Sequence, residues 1–273
     1  MNKIIAVDLD GTLLSPENQI TEYTKKTIQL LIKKKIYFIL ASGRHHTDVM
    51  KIRDILNIKS FMITSNGASV YDLDNKLIFD HHLDEDISIN LCNIVYSDKD
   101  IITQVYQNNK WYINNNKIDN NFCPVLTNLK YEYFKLGSLK SSNISKIFYT
   151  SKNIKKLYNL EKKIINDYKN KVHVSFSVPG CLEVISGKTS KGHGLQLISH
   201  LLDIPLKNFF SFGDGMNDQE MLSISGKAYI MKNADKRLKD ALPHVEIIGS
   251  NNNNGVAVCL NKIFLEKKSN VFL

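Results

Sequence analysis

Cysteine is scarce in this chain, with four among 273 residues. Cys92, Cys123, Cys181 and Cys259 lie far apart, with no CxxC pair and no Cys/His cluster, which argues against a disulfide framework or a zinc site. Free thiols of this kind fit a reducing cytoplasm, the expected location. Long apolar runs are missing too. The first, Ile4 to Val7, is four residues long, and no stretch approaches the roughly 18 residues that span a bilayer, so neither a membrane span nor a signal peptide is expected. Acidic residues are outnumbered, 27 against 36 Lys and Arg, for a net charge of +9. Such a balance can mark a nucleic-acid or membrane-surface partner. Here the basic residues are scattered in ones and twos (Lys155-Lys156, Lys162-Lys163, Lys267-Lys268), with Lys33-Lys34-Lys35 the only triple, as on solvated helix faces. The expected partner is a small anionic substrate, with no nucleic acid and no membrane.

What is present alternates strand and helix, the pattern of an α/β fold with a parallel sheet. The spacing predicts a buried strand over 3–8, a helix capped by Thr21 running to about Lys34, a strand Tyr37–Ala41, a helix over about 47–56 and a strand Phe61–Thr64. From about Asp84 to Ile185 the strands alternate apolar and polar residues instead, which predicts a sheet with one wet face. The doubly wound style then resumes with a helix from Gly192 and an apolar strand Phe209–Phe212. The expected fold is therefore an α/β, Rossmann-like doubly wound parallel sheet (1–83 plus 187–273) with an inserted α+β unit (84–186). Residues 72–83, with a turn at Asp74-Asn75, mark the exit.

Polar residues recur just past the strand ends, the edge where an open α/β sheet binds ligands. Asp8 and Asp10 in VDLDGT are two apart, so both carboxylates approach one ligand while Leu9 faces away. A hard cation such as Mg²⁺ would relieve their repulsion, although a helix cap plus a surface acid explains the pair alone equally well. A calcium loop is excluded, because Leu13 and Gln19 stand where it needs Gly and Glu. A second acidic group, Gly213-Asp214-Gly215-Met216-Asn217-Asp218, follows another apolar strand. If the two strands are neighbours, Asp214 joins Asp8, and Asp218 serves as the cap of the next helix. Ser42-Gly43 at a strand-to-helix turn and Lys191 before Gly192 add a hydroxyl, open backbone N–H groups and a positive charge, and phosphate is the natural ligand of that set.

The motifs DLDGT (8–12), ASGR (41–44), the SKG lysine (191) and GDGMND (213–218) resemble, in order and spacing, the four motifs of the haloacid dehalogenase superfamily of phosphohydrolases. The position of the insert resembles the Cof family with its type IIB cap. LDGTLLSPENQI, SFMITSNGASVYDLD, SKGHGL and FGDGMNDQEMLS are similar to the Cof-type pyridoxal phosphate phosphatases of enterobacteria. The resemblance implies a Mg²⁺-dependent phosphatase of small phosphorylated metabolites, pyridoxal 5′-phosphate or sugar phosphates. Within it Asp8 is the nucleophile that forms an aspartyl-phosphate, and Asp10 is the general acid and then base. Asp8, Asp214 and the backbone carbonyl of Asp10 hold the metal, with Asp218 orienting a metal-bound water. Leu9 N–H, Ser42, Gly43 N–H, Lys191 and Asn217 bind the phosphoryl group. The acid at position 10 disfavours dehalogenases and cation-pumping ATPases, while a phosphomutase of the phosphomannomutase type keeps it. A DxD nucleotide-sugar transferase would not need Lys191 or GDGMND, and a basic nucleic-acid- or membrane-associated domain would not need Asp8. Specificity candidates on the insert are Trp111, Ser175, Ser177 and Pro179-Gly180. His45 and His46 read as surface residues at a helix start, and Arg44 is within reach of a phosphate or a core acid.

Overall fold

The first four apolar residues form β1 (Ile4–Val7), and all four are buried. Ile5 and Val7 enter one apolar layer with Ile28, Leu31 and Val49, whereas Ile4 and Ala6 enter another with Leu195 and Ile198. A strand covered on both faces needs no polar alternation. The computed structural model describes residues 3–114, 130–178 and 180–266.

β2 (Tyr37–Ala41), β3 (Phe61–Thr64), β4 (Ser69–Tyr71) and β5 (Leu77–Asp80) follow β1. Next come β6 (Ile102–Gln107), β7 (Lys110–Ile113), β8 (Tyr131–Tyr133), β9 (Ile144–Thr150), β10 (Val172–Val178) and β11 (Cys181–Ser186), and the series closes with β12 (Phe209–Gly213), β13 (Lys227–Met231) and β14 (Glu246–Ile248). Among the described residues, eight strands form one sheet in the order β14-β13-β12-β1-β2-β3-β4-β5, and six form another in the order β10-β11-β9-β6-β7-β8. From β14 to β3 every pairing in the first sheet is parallel. The chain leaves β1 toward β2 and β3 on one side and returns to β12, β13 and β14 on the other. Strand order thus reverses between β1 and β12, and the crevice at their C-terminal ends is where such sheets bind ligands.

Among the helices, α1 (Glu22–Lys33) begins as expected at Thr21, whose hydroxyl accepts from Thr24 N–H. α2 (His46–Leu56) follows β2, and α3 (Glu85–Asn93) and α4 (Ile154–Tyr168) pack their Leu91, Leu157 and Ile164 on the second sheet. α5 (Lys191–Leu202) starts one residue before the expected Gly192, with Ser190 Oγ accepting from His193 N–H at 2.9 Å. That cap holds the end of the helix that carries Lys191. A Ser190→Ala substitution is expected to cost about 1 kcal/mol, a fall in melting temperature of roughly 2–4 °C by differential scanning calorimetry.

The expected turn at Asp74-Asn75 is present, with Asn75 in the left-handed region, and the segment 72–83 also supplies β5, which pairs antiparallel with β4 at the edge of the first sheet. The polar face of the second sheet, expected to be wet, is covered over its central strands. β6 and β11 are buried throughout, because Gln104, Lys146, Thr150, Ser175 and Glu183 on that side are covered, whereas Tyr131 and Tyr133 on β8 are exposed. The polar face lies against the loops at the C-terminal edge of the first sheet, where Lys146 and Glu183 reach Gly43 and Asn66.

No helix among the described residues is long and apolar enough to cross a membrane. Of the cysteines, Cys92 and Cys181 are buried and Cys259 is partly buried, and Cys123 lies outside the described residues.

Candidate active site

Asp8 sits at the end of β1, one residue beyond its pairing with β12, and its N–H donates to Phe212 O at 3.0 Å. The neighbouring strand therefore delivers Asp214 beside it. Between the two runs the Leu9–Leu13 turn, in which Gly11 has φ +80°. A Cβ on Gly11 would run into the Asp214 carboxylate, so conformation and space both demand glycine there. Leu9 is fully buried in the apolar layer and faces away from the acids, as expected. Thr12 Oγ1 donates to Asp214 Oδ1 at 2.6 Å, tying the first motif to the last.

Lys191 is wholly buried, and its ammonium lies 2.6 Å from Asp8 Oδ1 and 2.7 Å from Asp218 Oδ1. The other Asp218 oxygen accepts from the N–H groups of Asp214 at 2.9 Å and Gly215 at 3.0 Å. Asp218 does stand at the start of α6 (Gln219–Ile224), as expected, and its carboxylate accepts from backbone N–H groups, but those belong to the preceding turn over Met216–Asp218, which it caps from Gly215, and it makes no side-chain bond to α6. Among the described residues, Asp8, Asp214 and Asp218 form the one group of three that could share a cation, with ligand oxygens all within 4.8 Å of one another. Asp218, expected outside the metal, thus has its carboxylate in the group, and the Asp10 carboxylate does not belong to it.

Three ionised carboxylates against one ammonium carry a net excess of two negative charges, although Asp8 and Asp218 share Lys191 as partner. Burial pushes the Asp8 carboxyl up to about 7; Lys191 pulls it back, while Asp218 and Asp10 push it further. Asp214 is raised well above the usual carboxylate range, by burial first and then by Asp8 and Asp218. Burial lowers Lys191, but Asp218 and Asp8 outweigh it and hold the ammonium above its ordinary value. Hard oxygen donors carrying excess negative charge fit a divalent cation such as Mg²⁺.

Asp10 is clasped by Arg44 through two hydrogen bonds, Nε to Oδ2 at 2.8 Å and Nη2 to Oδ1 at 2.5 Å. The carboxylate that the resemblance leaves free for proton transfer therefore has a cationic partner here, one of the two options read for Arg44. Ser42 is fully buried, and its hydroxyl accepts from Arg44 N–H at 3.1 Å. Gly43 has no room for a side chain, because Glu183 and Asn66 oxygens crowd the Cβ position. Asn217 donates from Nδ2 to Asn66 Oδ1 at 3.0 Å.

The insert's candidates are scattered. The Trp111 indole N–H donates to Gln104 Oε1 at 3.1 Å within the buried face. Ser177 lines a cavity of about 250 Å³ with Asp214, Gly215, Tyr158, Phe176 and Arg237. Ser175 is buried, Gly180 takes φ +85°, and Pro179 lies outside the described residues. His45 is buried rather than on the surface. Its ring caps α2 by accepting from Thr47 N–H, and burial, aided by His46, lowers its pKa to about 4. Sequence reasoning gave no role to Asn66, Lys146 or Glu183, although Asn66 belongs to the polar Ser65-Asn66-Gly67 turn just past a strand end and Glu183 to the CLEV stretch at 181–184.

A doubly wound sheet whose reversal point gathers three carboxylates, a buried lysine and a serine turn defines a hydrolase of the phosphoryl-transfer type. Residues 5–260 match the family described as haloacid dehalogenase-like hydrolase. A protein of Buchnera aphidicola subsp. Acyrthosiphon pisum (strain APS), named "Putative phosphatase BU028/BU029", is 64% identical over 97% of this chain and 98% of its own. An HMP-PP phosphatase of Cronobacter sakazakii is 30% identical over 94% of each. In structure, a haloacid dehalogenase-like hydrolase from B. subtilis superposes with a TM-score of 0.82 at 23% identity, covering 95% of this chain and 99% of that one. The chain belongs to the haloacid dehalogenase-like hydrolases, in their Cof-type branch, and it is a phosphatase.

Proposed function

We propose that this phosphatase is Mg²⁺-dependent and removes the phosphate of small phosphorylated metabolites through an aspartyl-phosphate on Asp8. Pyridoxal 5′-phosphate is the first candidate substrate, with sugar phosphates beside it. The carrying observation is Asp8 at the reversal point of the sheet, its oxygen paired with Lys191 and clustered with Asp214 and Asp218. Asp8, Asp214 and the backbone carbonyl of Asp10 would hold Mg²⁺, with Asp218 beside them orienting a metal-bound water, and the ion when bound supplies charge neutralisation between an anionic nucleophile and an anionic ester. Asp8 attacks phosphorus. Asp10, released from Arg44, gives a proton to the leaving oxygen and then takes one from the attacking water. Ser42, the N–H groups of Leu9 and Gly43, Lys191 and Asn217 hold the phosphoryl oxygens as charge develops on them. Residues 84–186 form a cap whose buried polar face closes over the strand ends and excludes water. One of the solved structures with the same fold is a HAD subclass IIB sugar phosphatase, at TM-score 0.80 and 17% identity over 96% of this chain and 99% of its own. The sequence likeness to pyridoxal phosphate phosphatases supports the first candidate, and the scattered cysteines suit a cytoplasmic enzyme.

The test is phosphate release from p-nitrophenyl phosphate, pyridoxal 5′-phosphate and a panel of sugar phosphates, with Mg²⁺ and with EDTA. Release with Mg²⁺ and none with EDTA is expected; no release from any ester sinks the reading, and isomerisation of a sugar phosphate without release indicates a mutase. Mg²⁺ should also raise the melting temperature, and more at pH 8 than at pH 5. Without a cation Asp8 is raised to about 7, so at pH 5 a proton must leave before the cation binds. Asp214→Asn is expected to abolish that thermal shift.

A further inference from the structure

Lys146 on β9 and Glu183 on β11 are ion-paired at 2.9 Å with side chains only 1% and 3% exposed. Such a pair is weak evidence for stability, since desolvation offsets most of its attraction. Its partners say more. The Lys146 ammonium donates to Gly43 O at 2.5 Å and lies over the Tyr106 and Phe148 rings, 5.0 and 4.7 Å from their centroids. The second Glu183 oxygen accepts from Asn66 Nδ2. Asn66 Oδ1 in turn accepts from Asn217 Nδ2 at 3.0 Å, and Asn66 N–H donates to Ser42 O at 3.0 Å. Asn66 is 3% exposed and occupies the left-handed region at φ 58°. One buried network of hydrogen bonds therefore joins two strands of the second sheet to the site loops: Lys146 reaches Gly43 O directly, and Glu183 reaches Ser42 and Asn217 through Asn66.

We infer that Asn66, held by Glu183 and Lys146, is a positioning residue that sets Gly43 N–H and the Asn217 amide for the phosphoryl group, so that the second sheet completes the site when it docks. This rests on the assignment of Gly43 and Asn217 to phosphoryl binding. The Asn66 amide has its oxygen on one side of the seam and its NH₂ on the other. Without it, Asn217 loses the acceptor that fixes its side chain, and Glu183 loses the donor that fixes its carboxylate. The effect is independent of the leaving group, because the chain ends at the residues that hold the phosphoryl oxygens.

Asn66→Gly removes the amide while keeping a residue that adopts positive φ freely, and Glu183→Gln keeps size while removing the charge. Both are compared with the native protein, with Mg²⁺, for kcat and KM on p-nitrophenyl phosphate, pyridoxal 5′-phosphate and a hexose 6-phosphate. Orthophosphate affinity is measured by titration calorimetry, and the fold is checked by circular dichroism. For each variant, kcat and kcat/KM should both fall, kcat by about 10- to 100-fold, as when groups that orient catalytic ligands are lost, and by the same factor for every ester. Orthophosphate affinity should fall with it. A loss confined to one ester overturns the inference in favour of direct substrate contact, and unchanged kcat in folded variants reduces the seam to structure. If the native protein hydrolyses no ester, the phosphatase mechanism fails and the titration decides the inference alone. Weaker orthophosphate binding by Asn66→Gly then sustains it, whereas equal binding, or none by the native protein, overturns it.

Discussion

Asp8→Asn is expected to lose phosphate release by about 10⁴-fold or more, the scale on which removal of an enzyme nucleophile acts. The amide matches the carboxylate in shape but forms no acyl phosphate, so the loss should fall on kcat for every ester. The fold should survive. The substituted side chain would give up the ion pair with Lys191 but also the repulsion from Asp218 and Asp10 that helps raise the Asp8 carboxyl. Circular dichroism and calorimetry should show a folded protein beside the missing activity, and equal rates for the two proteins would remove Asp8 from the nucleophile role. Asp10→Asn sharpens the test. p-Nitrophenolate leaves without a proton, whereas the second step needs a base to activate water. The Asp10 variant should therefore show a burst of nitrophenol followed by slow turnover, and the Asp8 variant should show neither.

The second large effect belongs to Lys191→Met, which takes the ammonium from between two buried carboxylates. Breaking a buried pair by removing one partner costs about 3–5 kcal/mol, because the remaining charge has no compensation. The sign with pH follows from the shifts. Lys191 is held above its ordinary value, so its contribution is complete at pH 8 and is lost only as pH rises through the raised value. Asp8, already up at about 7 with the lysine present, climbs further without it and takes a proton as pH falls. In the absence of Mg²⁺, the stability gap between native and variant should be widest near pH 8 and shrink toward pH 5, as read by urea unfolding. A gap of equal size at both values would contradict the buried-charge account. Activity should fall about 10²–10³-fold, as when a group aimed at developing charge is lost.

The central strands of the first sheet were legible because they are short, largely apolar and bounded by Gly, Asp and Ser, whereas β4, β5, β13 and β14 carry polar or charged residues and were not placed. β2 and β3 fall on the expected residues, and β1 differs by one residue at each end. The acids of the site were legible for the same reason, since Asp8 and Asp214 directly follow buried strands and Asp10 and Asp218 lie in the turns just beyond them. Their division of labour was less so. Asp218 reads as a helix cap from its position alone, yet its carboxylate turns back to the Asp214 and Gly215 N–H groups and the Lys191 ammonium. Ser42 and Gly43 were recognised, but the residues behind them were not. Lys146 and Glu183 occupy polar positions of alternating strands, where alternation by itself says water.

Local sequence determined where the strands and helices run, which residues are core, and that acids, a hydroxyl and a lysine emerge at strand ends, because strand periodicity and capping act over a few residues. Tertiary structure alone decided which of those groups meet. The pairing of β1 with β12 sets Asp8 beside Asp214 across some 200 residues of chain, and the covering of the second sheet's polar face turns Lys146 and Glu183 into buried partners of Asn66 and Gly43. Alternation records that a face is polar; what the polar face touches is set by packing between sheets, which no local pattern encodes.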